Sequence, residues 1–597
     1  MSRLLRWSPS HPLRVAVPVA AAFPVGLLLA MGYARRWVSE DAFIDLRVVQ
    51  HLLAGHGPVF NLSERVEAYT NPVWVALLAV WAGLGASPEA GAVGLGLGLS
   101  ATGLVLAQAG AARLGSRLVA ASPRGERPGG ALTLPFGAAV FAAIPAVWDF
   151  STSGLESGLA MAWLGGVFWL LAGPPPLTRG AMRLAAVLIG CGPLVRPDLA
   201  LFSVGFAAAL LAGPACVPDR RPSGREWATL AVIGMALPLA YQVFRMGYFA
   251  ALVPNTALAK EATAPYWSQG WRYLVDFAGP YALWIPLLAV AAWTVTLVRA
   301  ARRHADWHAL ALVLATLVAA LAHGLYVARV GGDFMHGRLW LPTLLALLLP
   351  VATVVVPAAA LRGWRSVVLG GVGAWALACA LWLRVPYEGQ GTPGTWGIAD
   401  ERGFYTHHVG VPNPIYLDDY FHIAYVSQFR RSLVGHDRVL LVQVEHGLAV
   451  ASPLAPSVPP SIRLAVGVAN IGVLGYLSGV DAHVVDRGGL ADPIAARLTL
   501  AARGRPGHEK FLPEAWLVAR FGDPALAGGR SPAVPAAAAA LRCGDLARLL
   551  RAVEAPLTLS RFLSNVRDAW SFHRLRIPAD PGAARDRLCA RPSGGPG

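Results

Sequence analysis

The sequence predicts an α-helical polytopic membrane protein whose last third is a mixed α/β domain outside the bilayer. The first observation is composition: of 597 residues, 55% are hydrophobic and only 14% charged, against roughly a quarter charged in soluble domains. Mean hydropathy is +0.51. The second is spacing. Uncharged runs of about 20 residues recur, and a helix of that length crosses the hydrocarbon core with its backbone hydrogen bonds satisfied. The third is a change after Arg384, where charges, Pro and Gly rise and no span-length run recurs. In a soluble chain the net charge of +16 would suggest nucleic acid. Here the basic residues lie in short loops between apolar runs, where they orient spans, so a nucleic-acid partner is excluded.

Residues 15–34 are the first uncharged run, preceded by Arg3, Arg6 and Arg14. The run is longer than a signal-peptide core and no small-residue cleavage site follows it. It is expected to remain as the first span, with the N-terminus in the cytoplasm. Basic loops at 3–14, 113–127, 179–183, 220–225, 299–303 and 362–365 alternate with acidic, polar or motif-bearing loops at 39–71, 149–156, 196–198, 245–276 and 329–338. Placing the basic set in the cytoplasm gives about eleven crossings. Residues 1–385 then form the membrane unit and 386–597 lie outside.

Residues 72–112 carry only Glu89 as a charge and exceed one straight span. Pro88 is expected to split them into one crossing and a re-entrant or surface piece, since two crossings would spoil the alternation. The runs around Arg196-Pro197-Asp198 are short and proline-interrupted, a backbone tolerated at membrane depth where it lines a cavity or is buried in protein. Pairs such as Gly96-Leu97-Gly98 read as helix-packing contacts.

Beyond residue 385, roughly 200 residues suffice for a domain. Val439–Val444 and 483–485 read as short buried strands, and 494–502, 536–550 and 557–570 as helices. Of five cysteines, Cys191, Cys216 and Cys379 sit in or beside apolar runs and read as packing residues. Cys543 and Cys589 both fall in the outer domain, where an oxidising compartment favours a disulfide between them.

The outer loop at 39–71 is the densest in chemistry. Glu40 and Asp41 are adjacent where the chain leaves the first span. Phe43, Leu46, Val49 and Leu53 share one helical face, so Ala42–Leu53 reads as an amphipathic helix on the membrane surface, with Asp41 and Asp45 one turn apart on another face. Gly55-His56-Gly57-Pro58 is a turn, and Asn61, Glu64, Arg65, Glu67, Tyr69 and Asn71 follow. By charge alone this is also what a solvated loop looks like; the acids, His, Asn and Tyr crowded beside the bilayer favour chemistry. Asn61-Leu62-Ser63 matches a glycosylation sequon common by chance. No P-loop, dinucleotide fingerprint or zinc spacing is present.

The loop resembles the first periplasmic loop of GT-C membrane glycosyltransferases. It is most similar to the actinobacterial terminal beta-1,2-arabinofuranosyltransferase family of cell-wall arabinan synthesis. The residues that carry the resemblance are Glu40-Asp41-Ala42-Phe43-Ile44, Gly55-His56-Gly57, Phe60-Asn61, Glu64-Arg65-Val66-Glu67 and Tyr69-Thr70-Asn71. They continue at Ser153-Gly154-Leu155-Glu156, Arg196-Pro197-Asp198, Val253-Pro254-Asn255-Thr256 with Lys260, and Gly331-Gly332-Asp333-Phe334-Met335 with Arg338. The tail adds Gly489-Leu490-Ala491-Asp492-Pro493 and Arg505-Pro506-Gly507-His508-Glu509-Lys510. Two positions depart from the pattern: Glu40 stands where Asp is usual, and Asp45 where a small hydroxyl residue is usual.

The resemblance implies an inverting transfer of arabinofuranose from a polyprenyl phosphate, of the decaprenylphosphoryl arabinofuranose type, to a cell-wall arabinan on the outer face of a bacterial plasma membrane. A phosphate leaving group is already anionic, so a general acid is dispensable. The needs are a base for the acceptor hydroxyl and cations for the phosphate. The base is Glu40 or Asp41, whose mutual repulsion can raise one pKa. One of them could instead hold a divalent cation such as Mg, Ca or Mn; no other cofactor is implied. Arg338, Lys260, His336 and Arg196 are the expected phosphate ligands, although a lone cation near a membrane is more often an anchor. Substrate contacts are implied for Asp45, Arg47, His56, Asn61, Glu67, Tyr69, Asn71, Glu156, Asp198, Asn255, Asp333 and His508; for His56 and His508 a structural place in a turn is the commoner alternative. Competing readings keep the fold but change the sugar, for example to mannose, or make the chain a transporter, flippase or envelope scaffold. Against transport stand a large outer tail and no visible inverted repeat.

Overall fold

The computed structural model describes residues 19–121, 131–215, 222–357, 361, 363–444, 447–523, 525 and 531–590. Arg3, Arg6, Arg14, Cys216 and the basic residues of 122–127, 220–221 and 362 lie outside them. Among the described residues, five helices are long and apolar enough to cross a membrane: Pro88–Ala120, Gly224–Phe249, Trp284–Arg303, Trp307–Val330 and Trp364–Leu381. Shorter apolar helices accompany them at Ala22–Ala34, Pro72–Gly83, Ser157–Leu171, Pro197–Ala212 and Trp340–Val351. At 1.5 Å rise per residue, these cover only part of a core about 30 Å thick.

Pro88 does divide 72–112. It opens the 33-residue helix Pro88–Ala120, and the Ser87 side chain caps the Ala90 N–H. Proline is at home there because the first turn has no use for its missing N–H. The piece before it is the 12-residue helix Pro72–Gly83. Gly96 and Gly103 face Gly158 and Gly165 of helix Ser157–Leu171, and a Cβ on either of the latter would run into a carbonyl of the long helix. Gly96 thus has the packing role expected of it, whereas Gly98 faces open space.

The C-terminal part holds a four-stranded sheet in the order Gly447–Pro453, Val439–Val444, Leu464–Val468, Ala482–Asp486. The first pair is antiparallel and the others parallel. Leu464–Val468 and Ala482–Asp486 are buried at every residue, so neither shows the apolar-polar alternation of a half-solvated strand. Two helical expectations are corrected. Only Ala495–Arg497 of 494–502 is helical, a single turn. Asp492 Oδ1 caps it at Ile494 and Ala495, and Thr499 then pairs through its backbone with Ile577. The expected helix 536–550 is two, Ala533–Ala540 and Gly544–Glu554. It breaks where Cys543 is disulfide-bonded to Cys589 and Gly544 takes φ +53°. The third is Leu559–Arg574.

That disulfide spans 46 residues of sequence, a loop whose release in the unfolded chain is worth about 2–4 kcal/mol. The Cys543→Ser, Cys589→Ser variant is expected to unfold at lower temperature, and reductant to lower the parent's midpoint equally. Matching midpoints with and without reductant would show the cross-link to be dispensable.

Residues 386–597 do not stand apart from the membrane unit. Phe43 and Val48 of the first-loop helix share one hydrophobic cluster with Tyr420, Ile471, Leu474 and Val484. The helix Ala42–Leu53 forms over the expected residues, but not as a surface helix: Ala42 to Val49 and His51 are all buried. The C-terminal part covers it, through Phe43 and Val48 and through Arg47 on the carbonyls of Gly475 and Ala482.

Candidate active site

The acid pair sits in the turn that starts helix Ala42–Leu53. The Ser39 hydroxyl accepts the Ala42 N–H at 3.2 Å, and the Asp41 side chain makes no capping bond. Its carboxylate is left to face Arg338. Glu40 is spent differently: its Oε1 accepts the N–H groups of Gly472 (2.6 Å) and Val473 (3.2 Å) at the start of helix Val473–Leu477. Only glycine fits at 472, since a Cβ would strike the Glu40 carbonyl. Burial and the neighbouring Asp41 charge push the Glu40 carboxyl up to about 8, although those two N–H bonds act the other way.

That shift has a sign. A carboxyl whose pKa is higher folded than unfolded stabilises the fold below its ordinary range near 4.5, and the contribution is lost as pH rises through about 8. Glu40→Gln keeps the accepting carbonyl without the charge. The variant is therefore expected to lose less thermal half-life than the parent between pH 6 and pH 9. Identical pH dependence in both would remove Glu40 as the source.

Arg338 reaches Asp41 from the other side. Helix Trp307–Val330 ends at Gly331, and Gly331 and Gly332 take φ +96° and +71°. A Cβ on Gly332 would meet the Tyr273 ring, so the sharp turn needs glycine. It delivers Asp333 and Arg338. Arg338 Nη1 lies 3.7 Å from Asp41 Oδ2 and 3.3 Å from Asp333 Oδ2, and Nη2 lies 3.5 Å from Glu156 Oε1. Glu156 in turn faces Arg196 at 3.6 Å. Arg196 precedes Pro197, whose ring disfavours helical backbone at 196; the helix stops at Val195 with Arg196 extended. Its guanidinium grips Asp198 with two 2.6 Å bonds, and Asp198 also bonds His323 at 2.6 Å. Asn71 bridges Asp45 (2.8 Å) and Glu156 (3.1 Å); burial pushes the Asp45 carboxyl up to about 8.

Two cavities meet at this array. One, about 280 Å³, is polar and lies against the sheet domain; Glu40, Asp41, Lys260, Glu401, Asp486, Arg505 and His508 are among its walls. The other, about 380 Å³, has mostly apolar walls, including Val253, Pro254, Leu258, Val327, Val330 and Leu339. The same space is lined by Glu156, Arg196, Asp198, Lys260, Asp333, Arg338 and Arg576. Lys260 lines both. Arg338 Nε has no hydrogen-bond partner among the described residues. Among them, too, no group of three or more His, Cys, Asp or Glu side chains could hold a metal ion.

The expected site residues therefore separate. Glu40, Asp41, Arg338, Lys260, Arg196, Glu156, Asp198, Asp333 and His508 line one or both cavities. Asp45 and Asn71 support Glu156 from behind. The other expected residues are engaged elsewhere in the fold. Arg47 is fully buried, its guanidinium on the carbonyls of Phe60, Gly475, Gly479 and Ala482. Asn61 bonds Glu64 and both backbone groups of Val484. Glu67 pairs with Arg245 at 2.6 Å and with Tyr241, which also bonds Tyr69. Asn255 donates to the carbonyls of Gly489, Leu490 and Asp492. His56 contacts His51. His336, expected at the phosphate, is held instead by Asp276 (2.7 Å) and Tyr281 (3.0 Å), outside both cavities.

The sequence reading left out Glu401, Asp486, Arg505 and Arg576. Arg505 stood inside a motif already quoted, so a signal existed. The other three had none, because they reach the site through the packing of the C-terminal part.

The AftB family C-terminal domain matches residues 451–587. The chain is similar to a protein of Mycobacterium tuberculosis named terminal beta-(1->2)-arabinofuranosyltransferase, 36% identical across 93% of this chain and 95% of the relative. A Corynebacterium glutamicum protein of the same name is 32% identical across 92% of this chain and 84% of its own length. No solved structure matches the chain.

Proposed function

The chain belongs to the terminal beta-(1->2)-arabinofuranosyltransferase family of membrane glycosyltransferases, and from that premise we propose an inverting transfer of arabinofuranose from a polyprenyl phosphate to the end of a cell-wall arabinan. The observation that carries the reading is the Asp41–Arg338 contact, 3.7 Å long, at the junction of an apolar and a polar cavity that share Lys260. The apolar cavity suits the first isoprene units of a lipid donor, with Lys260, Arg338 and Arg196 for its phosphate. The polar cavity suits a glycan end.

The proposed step is one displacement. Asp41 takes the proton of the acceptor hydroxyl as that oxygen bonds the anomeric carbon. The anomeric carbon–phosphate oxygen bond breaks, and the electron pair leaves with the phosphate. Arg338 and Lys260 meet the charge gathering there, in a site poor in water where fixed cations act strongly. Glu40, tied to two N–H groups, orients the pair. The same reading puts the N-terminus in the cytoplasm, 386–597 outside, and about eleven crossings between, supported by the alternation of basic loops.

The test is transfer from synthetic polyprenyl-phosphate sugars to an arabinan oligosaccharide, with the anomeric configuration read by NMR. Arabinofuranose should transfer and mannose should not. A single displacement inverts the centre, so a β product requires an α-configured donor. A β donor giving a β product would overturn inversion and require an enzyme nucleophile.

A further inference from the structure

Helix Glu401–Val409 enters the polar cavity from the C-terminal part. As in the first-loop helix, a neighbouring side chain and not the cavity-lining acid caps the start. Asp400 Oδ1 accepts the Gly403 N–H at 3.0 Å, so Glu401 is left free although it stands in the first turn. The backbone of Ala399 pairs with Phe334 and His336 at 2.7 and 2.9 Å. The start of this helix is thereby tied to the loop that carries Arg338. Glu401, Phe404 and Tyr405 then fall on one helical face, and all three line the cavity with Glu40 and Asp41.

Two of these groups lack partners. Glu401 is 8% exposed and Tyr405 4%, yet neither the carboxyl nor the phenol makes a side-chain hydrogen bond or ion pair with any described residue. Buried polar groups are almost always satisfied, and leaving one unmet costs about 1–3 kcal/mol. An acid and a phenol left open on one face of a sugar-sized cavity mark a place built for a polar ligand.

We propose that Glu401 and Tyr405 bind hydroxyls of the acceptor sugar and set it beside Asp41, which makes them specificity-determining residues of the transfer. The inference rests on the reading of the polar cavity as the acceptor's. Burial, then the charges of Asp41 and Glu40, hold the Glu401 carboxyl well above its ordinary range. That direction favours the protonated form, in which the carboxyl can donate to one hydroxyl oxygen while accepting from another. The charge of Arg505, at the same wall, acts the other way.

The experiment uses the full-length protein in lipid nanodiscs, a synthetic polyprenyl-phosphate arabinofuranose and an arabinan oligosaccharide. Glu401→Ala and Tyr405→Phe should each raise the acceptor KM about tenfold, the worth of one lost hydrogen bond, with the donor KM unchanged. Glu401→Gln, which keeps one donor and one acceptor, should restore the acceptor KM to within about threefold. An acceptor KM within twofold of the parent in both Glu401→Ala and Tyr405→Phe overturns the proposal. So does a rise in donor KM in step with the acceptor's, which is what a merely structural role produces. Tyr405→Phe and Glu401→Gln conserve shape and keep the test valid if Glu401→Ala misfolds. A parent that transfers no arabinofuranose would instead sink the reading of the cavity. Parent transfer with an unmoved acceptor KM sinks only this assignment.

Discussion

Asp41→Asn is expected to cut arabinofuranosyl transfer by about 10³-fold while leaving the fold intact, the range for loss of a positioned general base. Asparagine matches aspartate in shape, and Asp41 makes no capping bond to lose. The helix start is held by Ser39 instead. What disappears is a carboxylate at the junction of the two cavities. Glu40→Gln should behave differently and cost less than about tenfold, because the Gln carbonyl can still accept from Gly472 and Val473. The pair of results is the discriminating one. Single-turnover transfer with both substrates saturating would report it, and a Glu40→Gln loss as deep as that of Asp41→Asn would move the base to Glu40. Near-parent rates in Asp41→Asn would end the mechanism.

Arg338→Gln is expected to fail twice, in rate and in stability. Among the described residues the guanidinium is the one cation paired with Asp41, Glu156 and Asp333 together, and its side chain is only 11% exposed. Removing one partner of such a buried array strands the others and costs about 3–5 kcal/mol, read as a shorter thermal half-life. In the proposed reaction the same cation meets the departing phosphate, and its loss should lower kcat by about 10²–10³. Arg338→Lys separates the two effects. A lysine keeps the charge but not the planar fork, so it should recover stability further than rate. If the Lys variant recovered both in full, the forked geometry would have no part in catalysis.

The legibility of the chain followed the range of the interactions involved. The helix Ala42–Leu53 and the strand Val439–Val444 were readable to the residue because each rests on local periodicity. Glu40, Asp41, Arg196, Lys260 and Arg338, which line the two cavities, were readable as candidates because each stands in or beside a short distinctive motif. Asn61, Glu67 and Asn255 stand in equally distinctive motifs, but their side chains, like that of Arg47, hold together segments far apart in the chain, as Arg47 does with Gly475 and Ala482. A motif reports that a residue matters without saying whether it touches substrate or backbone. The helix at 494–502 failed for the same reason. Its apolar spacing suited a helix, but pairing with Ile577 drew the chain out.

From sequence alone came the membrane class, the acid pair and the basic loops. These depend on composition and on spacings within one or two helical turns, which act before any tertiary contact forms. Tertiary structure decided which acid stays free, which cations face the cavities, and that Glu401 and Tyr405 join them. Each of those outcomes depends on where N–H groups, carbonyls and charges from distant segments come to rest, and the linear order of residues carries no measure of that distance.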